Sequence, residues 1–327
     1  MKILLTGANG FVGSHILDSL RQRGFPVRLV LRPTSDTRFI EPQLPGVEVC
    51  AGALSEPEIL RKALEGITHV IHCAGLTRAR KSGEFHAVNC GLTQALVTAV
   101  NERQVTVQRF LHISSLAASH PAPLQAPAKE EDPTQPVSEY GKSKLAAERA
   151  VIEGCQIPFT ILRPPAVYGP RDNAFLFFFQ LAKARLVPQF LGGVQHLSMV
   201  LAKDLAEAAA TCLDHPRTAG RTYFVASPEV LTPSEFGREI ARQMQVRTMS
   251  LPFPVPLLWP ICVVSEGLAR LTGRAAMLNR QKYADLSAPG WVCDSSRLRQ
   301  ETGFVASTPL REGIAQTLAW YRQAGCI

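Results

Sequence analysis

Tyr140 and Lys144 stand four residues apart in the stretch Glu139-Tyr140-Gly141-Lys142-Ser143-Lys144-Leu145. In a helix that spacing places both side chains on one face, in adjacent turns. An ammonium beside a phenol favours the phenolate, so Lys144 is expected to lower the Tyr140 pKa toward the working pH of a general base. Upstream, Phe110-Leu111-His112-Ile113 reads as a buried strand that delivers two hydroxyls, Ser114 and Ser115, at its carboxyl end, where parallel sheets bind ligands. A third group of residues opens the chain: Thr6-Gly7-Ala8-Asn9-Gly10-Phe11-Val12-Gly13 follows the apolar run Ile3-Leu4-Leu5. Glycines let a backbone turn sharply against a pyrophosphate, and the helix that follows offers free N–H groups to its charge. Proton transfer beside a bound dinucleotide is the chemistry these types and spacings point to.

The elements that must hold these groups alternate along the chain. A helical pattern over Ser14 to Arg23, with Phe11, Ile16, Leu17 and Leu20 on one side, leads to strands at Val27–Leu31 and Val47–Val49. A helix over Glu56–Leu64, a strand ending at Ala74-Gly75, a helix over Phe85–Arg103 containing Asn89, and the strand before Ser115 continue the alternation. A loop from His120 to Pro136 with five prolines is expected to run over the surface near the site. The sixth strand lies within Pro158 to Pro170. Strands and helices at this spacing specify a parallel sheet with right-handed crossovers. The expected fold is α/β: a Rossmann-type doubly wound parallel sheet over residues 1–170, then a smaller, mainly helical C-terminal substrate-binding lobe over 171–327. Segments from about 195 to 230 are expected to return to the main sheet.

At the end of the second strand an acidic residue would read a ribose 2′-hydroxyl, whereas an arginine accommodates a 2′-phosphate. Arg32 stands there with Ser35 nearby, which favours NADP over NAD.

The bulk properties exclude several classes. Apolar content of 46% and charged content of 19% are those of a globular chain. The net charge of +8 favours anionic partners, but no dense Lys/Arg stripe marks a nucleic-acid surface. Eight cysteines without a C-x-x-C pair argue against zinc and against a disulfide framework, and for a reducing, cytoplasmic setting. The apolar run at the start is too short for a signal peptide, and no stretch is long enough to span a bilayer.

The spacing T-G-x-x-G-x-x-G at Thr6 to Gly13, with Ser115 and the Tyr140-x-x-x-Lys144 pair, resembles the extended short-chain dehydrogenase/reductases. The segment Arg163-Pro164-Pro165-Ala166-Val167-Tyr168-Gly169-Pro170 is similar to that branch's R-P-x-x-V-Y-G-P. The resemblance implies that Ser115 holds the substrate oxygen, Tyr140 moves its proton, and Lys144 both tunes Tyr140 and holds the nicotinamide ribose. It implies cofactor contacts at Thr6, Gly7, Asn9, Gly10, Phe11, Val12, Gly13, Arg32, Ser35, Ala74, Gly75, Tyr140, Lys144, Pro164 and Val167, and a structural or water-holding role for Asn89. Where the family has G-D-L after its third strand, this chain has Gly52-Ala53-Leu54, so the aspartate that contacts adenine is missing.

The second half should set the substrate. The run from Phe175 to Leu191, with Phe175, Phe177, Phe178 and Phe179, supplies little to hold a diphosphate or sugar hydroxyls. Leu251 to Val264, with four prolines and Trp259, precedes a basic amphipathic pattern to Arg274. That region resembles 3β-hydroxysteroid dehydrogenases and sterol-4-carboxylate 3-dehydrogenases. The resemblance implies an NAD(P)-dependent oxidation of a sterol 3β-hydroxyl, with loss of carbon dioxide where a 4-carboxylate is present. Alternatives are a sugar-nucleotide epimerase or dehydratase, a dihydroflavonol-type carbonyl reductase, and a non-catalytic NADP-binding module. A small apolar substrate, a homodimer by analogy with the family, and peripheral contact with the inner membrane surface through 251–274 complete the expectation.

Overall fold

The computed structural model describes residues 1–79, 81–103, 105–190, 195–253, 259–260, 262–263, 265 and 280–327. A seven-stranded, all-parallel sheet organises the fold. Its strands are β1 (Ile3–Thr6), β2 (Val27–Leu31), β3 (Glu48–Ala51), β4 (His69–His72), β5 (Arg109–Ile113), β6 (Phe159–Arg163) and β10 (Arg221–Phe224), in spatial order β10-β6-β5-β4-β1-β2-β3. The order reverses between β1 and β4, which makes the crevice outside their carboxyl ends the natural ligand site.

Successive side chains of a strand face opposite sides, so a sheet buried on both faces needs apolar residues at nearly every position. Ile3 and Leu5 of β1 join a core with Ile16, Leu17 and Leu20 of α1 (Phe11–Gln22) and Leu205 and Ala209 of α7 (Ala202–Cys212). Leu4, Val70, Phe110 and Ile161 face the other way, onto α2 (Pro57–Ala63), α4 (Leu92–Asn101) and α5 (Glu139–Gly154). Each such large side chain contributes about 1.5–3 kcal/mol by leaving water.

Two local expectations change. The helix anticipated over Phe85–Arg103 is broken into α3 (Ser82–Phe85), a widened π turn over His86–Gly91, and α4. Such a bulge re-aims one side chain, here Asn89. The proline-rich stretch after His120 is no free surface excursion. Ala122 and Ala128 are buried and bridge to Trp291 and Cys293 of the second lobe, because their backbone groups find ladder partners there.

The second lobe carries β7 (Ala166–Tyr168), β9 (His196–Leu201), β11 (Val230–Leu231) and β13 (Gly290–Trp291) in one small sheet, and β8 (Leu186–Phe190) paired with β12 (Met249–Phe253) in another. Around them pack α6 (Leu176–Lys183), α8 (Pro233–Gln243), α9 (Arg280–Leu286), α10 (Ser296–Thr302) and α11 (Leu310–Gln323). Phe179 is fully buried against Phe236 and Tyr321, so the phenylalanine run is in part the core of this lobe. Most of 251–274 lies outside the described residues, and with it the expected membrane-contacting segment. Among the described residues, no helix is long and apolar enough to cross a membrane.

Candidate active site

The site assembles at the carboxyl edge of the sheet. Ser138 caps α5, its hydroxyl accepting from the Gly141 N–H at 3.3 Å. A Cβ at Gly141 would stand 2.2 Å from the Ala117 carbonyl oxygen, so only glycine lets α5 come this close to the exit of β5. That approach brings Tyr140 beside Ser115, whose hydroxyl is near enough to favour the ionised phenol. Ser115 also caps a short turn by accepting from Ala117 N–H at 3.2 Å. Ser114 faces away, into a buried bond with Glu148. Of the two serines, Ser115 is the one that reaches the tyrosine.

Lys144 is 6% exposed, and its ammonium donates to the Ile113 carbonyl at 2.6 Å. Burial pushes its pKa down to about 8. Burial also pushes the Tyr140 phenol up to about 12, opposed by the neighbouring Ser115 hydroxyl. The expected lowering of Tyr140 by Lys144 is therefore corrected for the free protein. The ammonium is spent on a backbone carbonyl at the root of the cleft, and desolvation of the phenol dominates.

Asn89 is 1% exposed. Its amide accepts from Leu76 N–H at 2.7 Å and donates to the Leu76 carbonyl at 3.0 Å and to Ser143 Oγ at 2.9 Å. It thereby clamps the chain leaving β4 to α5. Gly75 lies beside this clamp: a Cβ there would meet Asn89 Oδ1 at 2.9 Å and Lys144 Nζ at 4.0 Å.

The glycine turn lies across the crevice. Gly10 caps α1 without a side-chain bond, and the first turn of α1 holds no acidic residue. The N–H groups of Phe11, Val12 and Gly13 are thus left to an anion, and the turn fits a dinucleotide pyrophosphate. Asn9 donates to the Asp36 carbonyl at 3.2 Å and ties the turn to the loop after β2. In that loop Ser35 Oγ accepts from Arg32 N–H at 3.1 Å, while the Arg32 side chain is exposed. Phe11 packs edge-on to His15, and Val12 packs on the core. Pro164 is buried, its carbonyl accepting from Leu116 N–H at 2.8 Å, and Val167 sits on β7 beside Val200. Thr6 differs from expectation. Its hydroxyl is fully buried, bonded to His72 Nδ1 at 2.7 Å and accepting from Ala74 N–H at 3.3 Å, so it organises the strand ends and has no free group for a cofactor.

Sequence reasoning missed three sets of residues. Glu148, fully buried, takes two bonds from Arg163, Nε at 2.9 Å and Nη2 at 2.6 Å, and anchors α5 to β6. Its signal was a carboxylate four residues past Lys144 on the same helix face. Asp36 is bonded by Arg38 Nε at 2.6 Å, which the loop sequence did not announce. His72 joins two threonines below the crevice, a pairing visible only once β1, β4 and α4 are packed.

A model of the NAD dependent epimerase/dehydratase family matches residues 3–226, from β1 through the last strand of the main sheet. The chain belongs to this family. Family members similar to it along their length differ in what they are named for. A ceramide reductase of Caulobacter vibrioides is 28% identical over 99% of this chain and 95% of its own. The sterol demethylase protein B of Methylococcus capsulatus is 26% identical over 100% of both chains. The crystal structure of the Thermus thermophilus UDP-glucose 4-epimerase in complex with NAD superposes with a TM-score of 0.78 at 24% identity, covering 99% of this chain and 100% of the other. The family and its fold make this chain an NAD(P)-dependent enzyme of the short-chain dehydrogenase/reductase type. The specific resemblance to 3β-hydroxysteroid dehydrogenases goes beyond what these matches establish.

Proposed function

We propose that the protein interconverts a secondary alcohol and a ketone on an apolar, lipid-class substrate, with the 3β-hydroxyl of a sterol as the specific case. The observation that carries the redox reading is the convergence of Ser115, Tyr140 and buried Lys144 where α5 closes on the exit of β5, at the same edge of the sheet as the uncapped α1 terminus. When bound, the nicotinamide dinucleotide supplies the hydride acceptor or donor. Ser115 Oγ would hold the substrate oxygen, and Tyr140 Oη would give or take its proton. A phenol raised to about 12 keeps its proton at neutral pH, the form that donates to a carbonyl oxygen. Oxidation needs the phenol to accept the proton, so its rate is expected to gain as pH rises.

The lipid reading draws on the relatives named for ceramide and sterol, and on Phe177, which stays 38% exposed beside the stacked pair Phe175 and Phe178. NADP is inferred over NAD because Arg32 is exposed at the exit of β2, while the loop carboxylate, Asp36, is already held by Arg38. A homodimer and a peripheral membrane contact through 251–274 belong to the same reading; of that stretch, the described Trp259 and Val263 are 45% and 43% exposed. A second reading, a nucleotide-sugar epimerase, draws on the superposition with the Thermus enzyme.

One assay separates them. The purified protein is given NADP or NADPH with a 3β-hydroxysterol, its 4-carboxy derivative, a 3-oxoceramide and UDP-glucose, and Tyr140→Phe serves as control. Turnover of a lipid with net change in NADPH, lost about 10²–10⁴-fold in Tyr140→Phe, is expected. Conversion of UDP-glucose without net NADPH change, and no lipid turnover, would overturn the proposal in favour of the epimerase.

A further inference from the structure

A continuous chain of hydrogen bonds runs beneath the crevice from the strand that precedes the glycine turn to the helix that carries Tyr140. Ala74 N–H donates to Thr6 Oγ1 at 3.3 Å. Thr6 Oγ1 meets His72 Nδ1 at 2.7 Å, and His72 Nε2 meets Thr93 Oγ1 at 3.0 Å. Thr93 donates to the Asn89 carbonyl at 2.6 Å. Asn89 Nδ2 donates to Ser143 Oγ at 2.9 Å, and Ser143 Oγ donates to the Tyr140 carbonyl at 2.7 Å. Thr6, His72 and Thr93 are each fully buried, and Asn89 is 1% exposed, so water does not substitute for a lost partner.

The direction of this chain can be read from proton counting. A threonine hydroxyl has one proton. Thr93 gives its proton to Asn89, so toward His72 it can only accept, and His72 Nε2 must carry the N–H. His72 Nδ1 is then an acceptor, and the Thr6 proton points to it. Thr6 is free to do this because Ala74 occupies its acceptor side. Only the neutral Nε2–H tautomer satisfies every member. The His112 ring stacks on His72 at 5.4 Å with an interplanar angle of 29° and fixes its plane. Burial holds His72 neutral, its pKa pushed down to about 3.

We propose that His72 is a positioning residue whose single tautomer couples the glycine turn, through Thr6, to the placement of Tyr140, through Thr93 and Asn89. Its two nitrogens have separate tasks: Nδ1 holds the strand end from which the cofactor turn springs, and Nε2–H holds the π turn that clamps the catalytic helix. The inference rests on the reading of Tyr140 as the acid–base group.

Two substitutions take the tasks apart. In His72→Asn the side-chain carbonyl can stand near the Nδ1 position and accept from Thr6, while the reach to Thr93 is lost. In His72→Gln the amide N–H₂ can stand near the Nε2 position and donate to Thr93, while the acceptor for Thr6 is lost. The probe for the first task is NADPH, titrated by its fluorescence. For the second it is hydrogen exchange of a peptide over residues 139–145 in the free protein, read by mass spectrometry. His72→Asn is expected to bind NADPH within twofold of the native protein and to exchange about fivefold faster at 139–145, the effect of one hydrogen bond. His72→Gln is expected to show the reverse, with NADPH affinity about fivefold weaker and exchange unchanged. A merely structural role would move both readouts together with global stability. Equal movement in the two variants, or none in either, would overturn the proposal. Tyr140→Phe in the turnover assay keeps the two levels distinct: activity surviving there sinks the reading of the site, whereas a silent Tyr140→Phe with no split between the His72 variants sinks only the coupling.

Discussion

The glycine turn offers the sharpest quantitative test, because the obstruction at Gly13 is made of backbone. A Cβ placed there would stand 2.0 Å from the Gly7 carbonyl oxygen, 2.7 Å from its carbon and 3.0 Å from Ala8 Cα. An ordinary carbon–oxygen contact is about 3.3–3.6 Å, so in Gly13→Ala the turn must open by more than about 1 Å. None of these atoms ends a flexible side chain, so no rotamer relieves the clash. Opening the turn swings the N–H groups of Phe11 and Val12 away from the pyrophosphate they would hold. Losing one charge-assisted hydrogen bond costs about 1.5–3 kcal/mol, which converts to roughly 10- to 150-fold weaker NADPH binding. Gly10→Ala, whose Cβ would lie 3.3 Å from the same oxygen, needs a shift of only a few tenths of an ångström and is expected to lose less. Gly83→Ala, with nothing within 4 Å, should bind as the native protein does. Fluorescence titration with NADPH gives the three dissociation constants, and thermal melts followed by circular dichroism show that each variant is folded. Gly13→Ala binding within twofold of native, in a folded protein, would refute the placement of the cofactor on this turn.

Two further outcomes follow from buried charges. Glu148→Ala leaves the Arg163 guanidinium, 6% exposed at its side chain, without its carboxylate, and removes the Ser114 partner. Such an orphaned charge costs about 3–5 kcal/mol, read as a lower urea midpoint, and a loss below about 1 kcal/mol would contradict the burial of the pair. Replacing both partners, Glu148→Leu with Arg163→Met, should recover most of it. Lys144 has a folded-state pKa of about 8, below its ordinary 10.5, so between those values the unfolded chain binds more protons and native stability rises with pH. Tyr140, raised to about 12, acts oppositely above pH 10, where the folded state holds the extra proton and stability falls. Native stability measured against Lys144→Met should therefore gain over pH 8 to 10 by up to about 2–3 kcal/mol, and a flat difference across that window would show that the ammonium is not desolvated.

The alternation of apolar strands with helices, the glycine spacing and the Tyr140-x-x-x-Lys144 pair are local patterns, and local patterns are what a sequence displays. They determined the order of the elements, the parallel sheet and the residues most able to do chemistry, because burial on both faces demands near-continuous apolar strands and a dinucleotide turn tolerates few side chains. The choice between Ser114 and Ser115 was not local. It was decided by which hydroxyl faces Glu148 and which faces Tyr140, a matter of how α5 lies against β5. The same packing reversed the expected effect of Lys144 on Tyr140, since spacing along a helix cannot say that the ammonium will find the Ile113 carbonyl or how dry the cleft will be. The proline-rich stretch after His120 read as surface because its composition resembles a loop, yet Ala122 and Ala128 pair with Trp291 and Cys293, 169 and 165 positions later in the chain. His72 looked like one more residue of a buried strand. Its partners Thr6 and Thr93 lie 66 and 21 residues away, and only the folded sheet brings them to its two nitrogens. Contacts of that separation carry no local signal, because nothing in the neighbouring residues changes when they form.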